Sequence, residues 1–196
     1  MTYERTPRAR KRLQLVTSIS ITAYHEAGHA VLAFLHGRGV VHVTIRENAS
    51  IQASGLCELT AVTATFQKAN NGDARAAGRA QRIMQAELAI ALGGPYAMAK
   101  HWPDYASEQI EADERNADDF FNARDIARKL SILTTGDEKG AYRIFEATRE
   151  RVWSLLSEPL NWSSVVAVAD VLRARGRISG SELRAIVASI STRRAS

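Results

Sequence analysis

The chain holds a single cysteine, Cys57, among its 196 residues. One thiol excludes an intrachain disulfide and fits a reducing compartment. No stretch reaches the roughly eighteen consecutive apolar residues that a membrane-crossing helix requires, so no membrane span is expected. The N-terminus carries charge without an apolar core behind it, which excludes a secretory signal peptide. A cytoplasmic location without targeting is the simplest reading, and an Arg-rich transit peptide the more elaborate one. No G-x-x-x-x-G-K-[ST] occurs, so there is no P-loop to drive ATP-dependent work. Internal repeats and low-complexity runs are absent too.

What is present is one domain's worth of chain, 45% hydrophobic, with a formal charge of +5. That excess is concentrated at the ends. Residues 1–12 carry Arg5, Arg8, Arg10, Lys11 and Arg12 against Glu4, and Arg193 and Arg194 sit near the other terminus. The body between holds 19 basic and 20 acidic residues. The high isoelectric point therefore belongs to the tails and not to a basic face of the fold, and nucleic acid is not the expected partner. Residues 1–17 read as a flexible basic tail, and residues 18–192 as the folded domain.

Within that domain the pattern is mostly helical. A helix is expected from about Ser20 to His36, stopped by Gly37 and Gly39. Val40 to Arg46 alternates, with Val41, Val43 and Ile45 on one face, and reads as a strand. Glu47–Ser50 reads as a turn, and Ile51–Thr65 as one or two further strands broken near Gly55. Asn70-Asn71-Gly72-Asp73 is a loop signal. An Ala-rich helix over 74–92 should end at Gly93-Gly94-Pro95, with an irregular stretch over 95–112. Helices are expected over 114–132, 138–157 and 161–175. Ser179-x-x-Glu182 is a capping box that opens a last one. The fold class is thus mainly α with a small β-sheet, an α+β domain.

The chemistry concentrates in Tyr24-His25-Glu26-Ala27-Gly28-His29-Ala30. Residues four apart on a helix lie one above the other, so His25 and His29 can offer two imidazole nitrogens to one ion. Glu26 can reach a water on that ion, as the general base of a zinc hydrolase does. The alternative is a solvent-facing helix with two coincidental histidines, and only five His occur in the chain. A catalytic zinc takes three protein ligands and keeps one position open. The metzincin extension would need Gly and His at positions that here hold Leu32 and Leu35. His36 reads as a helix-end residue and His42 as an exposed strand residue.

The third ligand is then a carboxylate from elsewhere. Asp119, Ala123, Ile126, Ala127 and Leu130 form an apolar stripe with one Asp in it. Asp118, Asn122, Asp125 and Lys129 make the wet face beside it. A lone carboxylate on a buried stripe is costly unless paired or metal-bound. A cap or salt bridge near the helix start is the ordinary explanation, and in this chain Asp119 is preferred as ligand over Asp118. Glu87 falls near the buried side of its helix, either as a partner for a ligating imidazole or as a partly exposed edge residue.

These segments together resemble the zinc peptidase domain of the FtsH-type AAA proteases. Tyr24–Val31 is similar to that family's signature helix, and Val41-His42-Val43-Thr44-Ile45 to the strand after it. Ala91-Leu92-Gly93-Gly94 stands where the family has Leu-Gly-Gly. Asp119 with Ala123, Ile126, Ala127 and Arg128 resembles its aspartate-ligand helix, and Ile178–Leu183 its closing helical hairpin. The resemblance covers roughly residues 20–190. It implies a zincin-like fold and a Zn2+ endopeptidase, with His25, His29 and Asp119 as ligands and Glu26 as base. Two segments depart from the family: Pro95–Lys100 replaces an Arg and paired acids, and Glu111–Asn116 replaces a Thr-Gly-rich lead. Both remove support for a hexameric assembly, and the oligomeric state is left open.

Without a P-loop or anchor, the expected substrate is a flexible protein or peptide segment, or one delivered by an ATPase or adaptor acting in trans. The strand around Ser54–Glu58 is expected to pair with it by β-augmentation, and Cys57 there is expected to pack and not to react. The rival reading is a catalytically silent peptidase-like domain that acts as a protein-binding module.

Overall fold

A computed structural model describes the backbone of residues 7–45, 55–102 and 107–192, and the side chains of 19–45, 55–102 and 110–192. The expected turn at 47–50, the strand start at 51–54, the basic side chains of residues 1–12, and Arg193 and Arg194 lie outside these residues. The described chain is mainly helical with one small antiparallel sheet. None of its helices is long and apolar enough to cross a membrane.

The first helix, α1, spans Pro7–Leu35 and so begins well before Ser20. Proline is at home in a helix's first position, where its missing N–H would have had no partner. Arg, Lys, Leu, Gln and Ala behind it all favour helix. From Ala23 onward α1 is a core element, with Ala23, Ala27, Ala30, Val31 and Leu32 all fully buried. Gly37 ends the segment with φ 68°, a conformation that glycine adopts without the clash a Cβ would bring.

A short strand follows, β1 at Val40–Thr44, then β2 at Leu56–Leu59. Together with β3 at Arg177–Ser179 they form a sheet in the order β2-β1-β3, antiparallel throughout. The simple alternation expected for β1 fails. Val40, Val43 and Ile45 are buried while Val41 is 48% exposed. The cause is a shift in register against β2 between Val40 and His42, which reverses the side-chain phase as an irregularity of this kind does. Thr63–Thr65, read as strand, instead open a helix, α2 at Thr63–Asn70.

The largest departure concerns the next helix, α3, which runs from Ala74 to His101. Asp73 caps it, its carboxylate accepting from the Ala76 N–H at 2.9 Å. The helix passes straight through Gly93-Gly94-Pro95, the expected stop. Pro95 removes one ladder bond, at roughly 3 kcal/mol in a helix interior. Burial outweighs it: Leu88, Leu92, Tyr96, Ala97 and Met98 are all within the core, and each large apolar side chain buried contributes roughly 1.5–3 kcal/mol.

The glycines have a purpose in this packing. A Cβ built on Gly28 would stand 2.6 Å from the Ala97 Cβ and nearer still to the Gly93 carbonyl oxygen. A Cβ on Gly93 would stand 2.9 Å from the Gly28 carbonyl oxygen. The backbones of α1 and α3 therefore touch at this crossing, and only residues without side chains allow it.

After α4 (Ser107–Ala112) and a 3-10 turn at Glu114–Asn116 comes α5 at Ala117–Thr135, then α6 (Ala141–Ser157), α7 (Pro159–Arg175) and α8 (Gly180–Thr192). Gly136 and Gly176 end α5 and α7 with φ 81° and 72°, the left-handed cap that glycine favours. The expected capping box opens α8. Glu182 accepts from the Ser179 N–H at 2.8 Å, and Ser179 Oγ accepts from the Glu182 N–H at 3.3 Å.

Candidate metal centre

Two elements meet at the site. One turn of α1 presents His25 and His29 on a common face, and the first turn of α5 brings Asp119 to them. His25 Nε2 lies 3.0 Å from His29 Nε2, and Asp119 Oδ2 lies 3.0 Å from the first and 3.4 Å from the second. These three donor atoms form one compact group able to hold a metal ion. Glu26 is 6% exposed and His29 8% exposed.

The sequence fixes α5 in the required orientation. Phe120, Ala123, Ala127 and Leu130 are buried, docking the helix against α3 and α6. The expected stripe is slightly turned: Phe120 belongs to it, Ile126 is half-buried, and Asp119 sits at its edge with its side chain 22% exposed. Asp118, one residue earlier, faces solvent. Ahead of the helix, buried Asn116 donates from Nδ2 to the Ile110 carbonyl of α4 at 2.9 Å, and Asp113 caps the 3-10 turn by accepting from Arg115.

The donor chemistry fits a metal. His29 donates from Nδ1 to the Ile90 carbonyl at 2.7 Å. That bond selects the tautomer whose Nε2 keeps a free lone pair, the form a metal needs, and holds the ring in place. Two Nε2 atoms 3.0 Å apart cannot both direct lone pairs at each other unless a proton or a cation lies between or beside them. With two imidazole nitrogens and one carboxylate oxygen, the set suits zinc.

The metal-free electrostatics follow from the same geometry. Burial pushes His29 down, but the carboxylates of Asp119 and Glu26 and the Ile90 carbonyl outweigh it and hold the imidazole at about 9. Burial pushes Asp119 up, and the two imidazoles overcome it, leaving the carboxyl well below the usual carboxylate range. Glu26 is raised by burial, with the neighbouring histidines pulling the other way. A raised carboxyl is closer to neutrality and better poised to accept and release a proton.

Beside the triad opens a cavity of about 680 Å³, with Ile21, Glu26, Leu56, Leu59, Ile90 and Asn122 among its lining residues. Strand β2 forms one wall. A Cβ on Gly55 would stand 2.5 Å from Glu26 Cγ and 2.7 Å from its Cδ, so the chain at Gly55 lies directly on the carboxylate. Cys57, in the same wall, is a free thiol that burial pushes far up from its ordinary value. It carries no thiolate chemistry near neutral pH.

Glu87 is not the partner of a ligating imidazole. It pairs with Arg38 at 3.0 Å at the cavity's edge, and the Ile90 carbonyl takes the role considered for it. The other histidines also lie apart from the site. His42 pairs with Glu58 at 3.0 Å, and His101 stacks on Tyr24 with ring centres 3.5 Å apart. Sequence reasoning missed the Ile90 carbonyl, which carries no residue signal at all. It also took Gly94 for a helix end, although Gly94 adjoins both imidazoles. The chain matches no protein-family model and no curated protein at a significant level.

Proposed function

We propose that this chain is a zinc-dependent endopeptidase, a zincin-like domain of the FtsH-type peptidase kind. The observation that carries the reading is the convergence of His25 Nε2, His29 Nε2 and Asp119 Oδ2, from two helices ninety residues apart in sequence, on one point. An ordinary salt bridge needs one imidazole, whereas here both Nε2 atoms face the same carboxylate oxygen.

His25, His29 and Asp119 would hold the ion. A zinc ion at that point supplies Lewis acidity, polarising a scissile carbonyl and acidifying a water. Glu26, buried beside the histidines, accepts the proton from the attacking water and returns it to the leaving amine. The Ile90 carbonyl keeps the His29 ring oriented throughout. β2 is an edge strand, paired with β1 on one side only among the described residues. An extended substrate can pair with its open side, with apolar side chains such as Leu56 and Leu59 forming part of the adjoining cavity. That mode of binding suits flexible protein segments, or segments delivered by an ATPase or adaptor in trans.

The test is Glu26→Gln, assayed on an unfolded protein with zinc content measured in parallel. The variant should keep wild-type zinc and lose cleavage by at least about 100-fold, the lower end of what a general base contributes. Cleavage at the wild-type rate would overturn the mechanism. Full zinc with no cleavage by the wild-type chain would favour the silent protein-binding module instead.

A further inference from the structure

Three glycines lie where α1 meets α3, and they do different things. Gly28 and Gly93 face each other's backbone. An added Cβ on Gly28 would collide first with the Gly93 carbonyl, and one on Gly93 with the Gly28 carbonyl. Their role is the close approach of two helices. Gly94 differs in what it faces. A Cβ built there would stand 2.7 Å from His29 Cε1, 2.8 Å from His25 Nε2, and nearer still to His29 Nε2. Its three nearest neighbours are all atoms of the two imidazole rings.

We infer that Gly94 is a positioning residue of the metal centre, the bare wall that leaves room for an ion between the two imidazole nitrogens. The inference rests on the metal reading above and deepens it. Zinc–nitrogen bonds are about 2.0–2.1 Å. A methyl group beside both nitrogens and an ion bound to both compete for the same small volume. The conflict has no easy relief on the histidine side. His29 is buried and pinned through Nδ1 to the Ile90 carbonyl at 2.7 Å, so its ring cannot swing out without breaking that bond. Gly94 itself sits inside a continuous buried helix that also packs against α5 and α6, so it cannot back away from α1 without disturbing that packing.

The placement also explains a choice that costs helix stability. At an ordinary buried helix position Ala is the better residue. Gly94 has no positive φ that would demand glycine, so the imidazole pair supplies the requirement. The helix runs two glycines and a proline in a row where only one glycine answers to backbone packing and the other answers to the site.

The experiment uses the full chain with Gly94→Ala, alone and combined with His29→Ala. Zinc affinity is measured by competition with a chromophoric chelator, and the visible spectrum of the cobalt-substituted chain reports ligand geometry. Thermal melting of the metal-free proteins is followed alongside. Gly94→Ala should weaken zinc by about 100-fold or more, the upper end of what outer groups around a metal contribute, and change or abolish the cobalt spectrum. In the metal-free chain it should lower the melting temperature in the wild-type background, and lower it much less once His29→Ala has removed the nearer of the two rings it meets. That dependence is a coupling between the two positions, which a general packing role would not produce. Zinc affinity equal to wild type, or a melting shift independent of the residue at 29, would overturn the inference while leaving the metal centre standing. If the wild-type chain binds no zinc, the metal reading itself falls, and the inference with it. If Gly94→Ala does not fold alone but folds with His29→Ala, the ring contact is established by that rescue.

Discussion

Two of the three aspartates of helix α5, Asp119 and Asp125, keep contrasting company. Asp119, in its first turn, reaches back to two imidazoles of α1 across the core edge. Asp125, six residues on, pairs with Arg128 and Lys129 on the same helix, and Arg128 reaches on to Glu138. Both carboxyls are held below their ordinary value, Asp119 against burial and by the histidines, Asp125 by hydrogen bonds from Lys129 and Arg128. Direction of shift therefore does not separate a site from a surface. Distance along the chain and burial of the partner do. Asp125 satisfies itself with neighbours three and four residues away, as helix surfaces commonly do, and water screens the pairs. Asp119 spends its charge on two rings held in place by another helix.

The sharpest way to break the comparison is to remove each carboxylate in turn. If Asp119 is the ligand proposed above, Asp119→Ala should weaken zinc by more than about 100-fold, since losing a direct ligand exceeds the usual effect of losing an outer partner. Chelator competition reads this directly, and unchanged affinity would return Asp119 to the status of a salt bridge.

A smaller effect comes from protons. In the metal-free chain His29 is raised from 6.5 to about 9, so its contribution to stability is fully present below pH 6.5 and is lost as pH climbs through about 9. Asp119 is lowered from 3.8, so its contribution is present above that value and is lost as acid protonates the folded carboxylate. Metal-free melting should accordingly fall between pH 6.5 and 9. Zinc needs the neutral imidazole, so binding at pH 7.5 should release a proton. Calorimetry in buffers of different ionisation enthalpy measures it, and a release of zero would contradict the assigned charge.

The least effect is expected at the other end of the comparison. Asp125→Asn should leave zinc affinity and melting temperature unchanged within error, because its partners are solvated. A loss of metal affinity there would mean that Asp125, which lines the same cavity as the triad, acts on the ion across that cavity.

How much of this was legible in the sequence follows from how local each signal is. His25, Glu26 and His29 could be read because one helical turn, set by bond geometry alone, aligns them. Asp119 could be read as the acid at the margin of an apolar stripe, though Phe120 belonged to that stripe and went unnoticed. The α5, α6 and α7 ends were marked by Gly136, Pro159 and Gly176, and the α8 start by Ser179 and Glu182. The continuation of α3 through Gly93-Gly94-Pro95 was not legible, because stop signals are local and the burial that overrides them comes from α1. Val41 was misplaced because a register shift depends on the partner strand. The hydrogen bond to His29 comes from a main-chain carbonyl, and no residue identity announces it.

Cys57 has a use beyond packing. Its thiol sits in β2 near Glu26, and burial together with that carboxylate keeps it protonated. Alkylating reagents attack the thiolate, so labelling of this chain should be slow while β2 stays in place. Opening of that wall would expose the sulfur, and the rate of labelling then measures how often it opens. As the chain's only cysteine, it is a built-in clock for movement of the wall that covers Glu26, readable by mass spectrometry without introducing any probe.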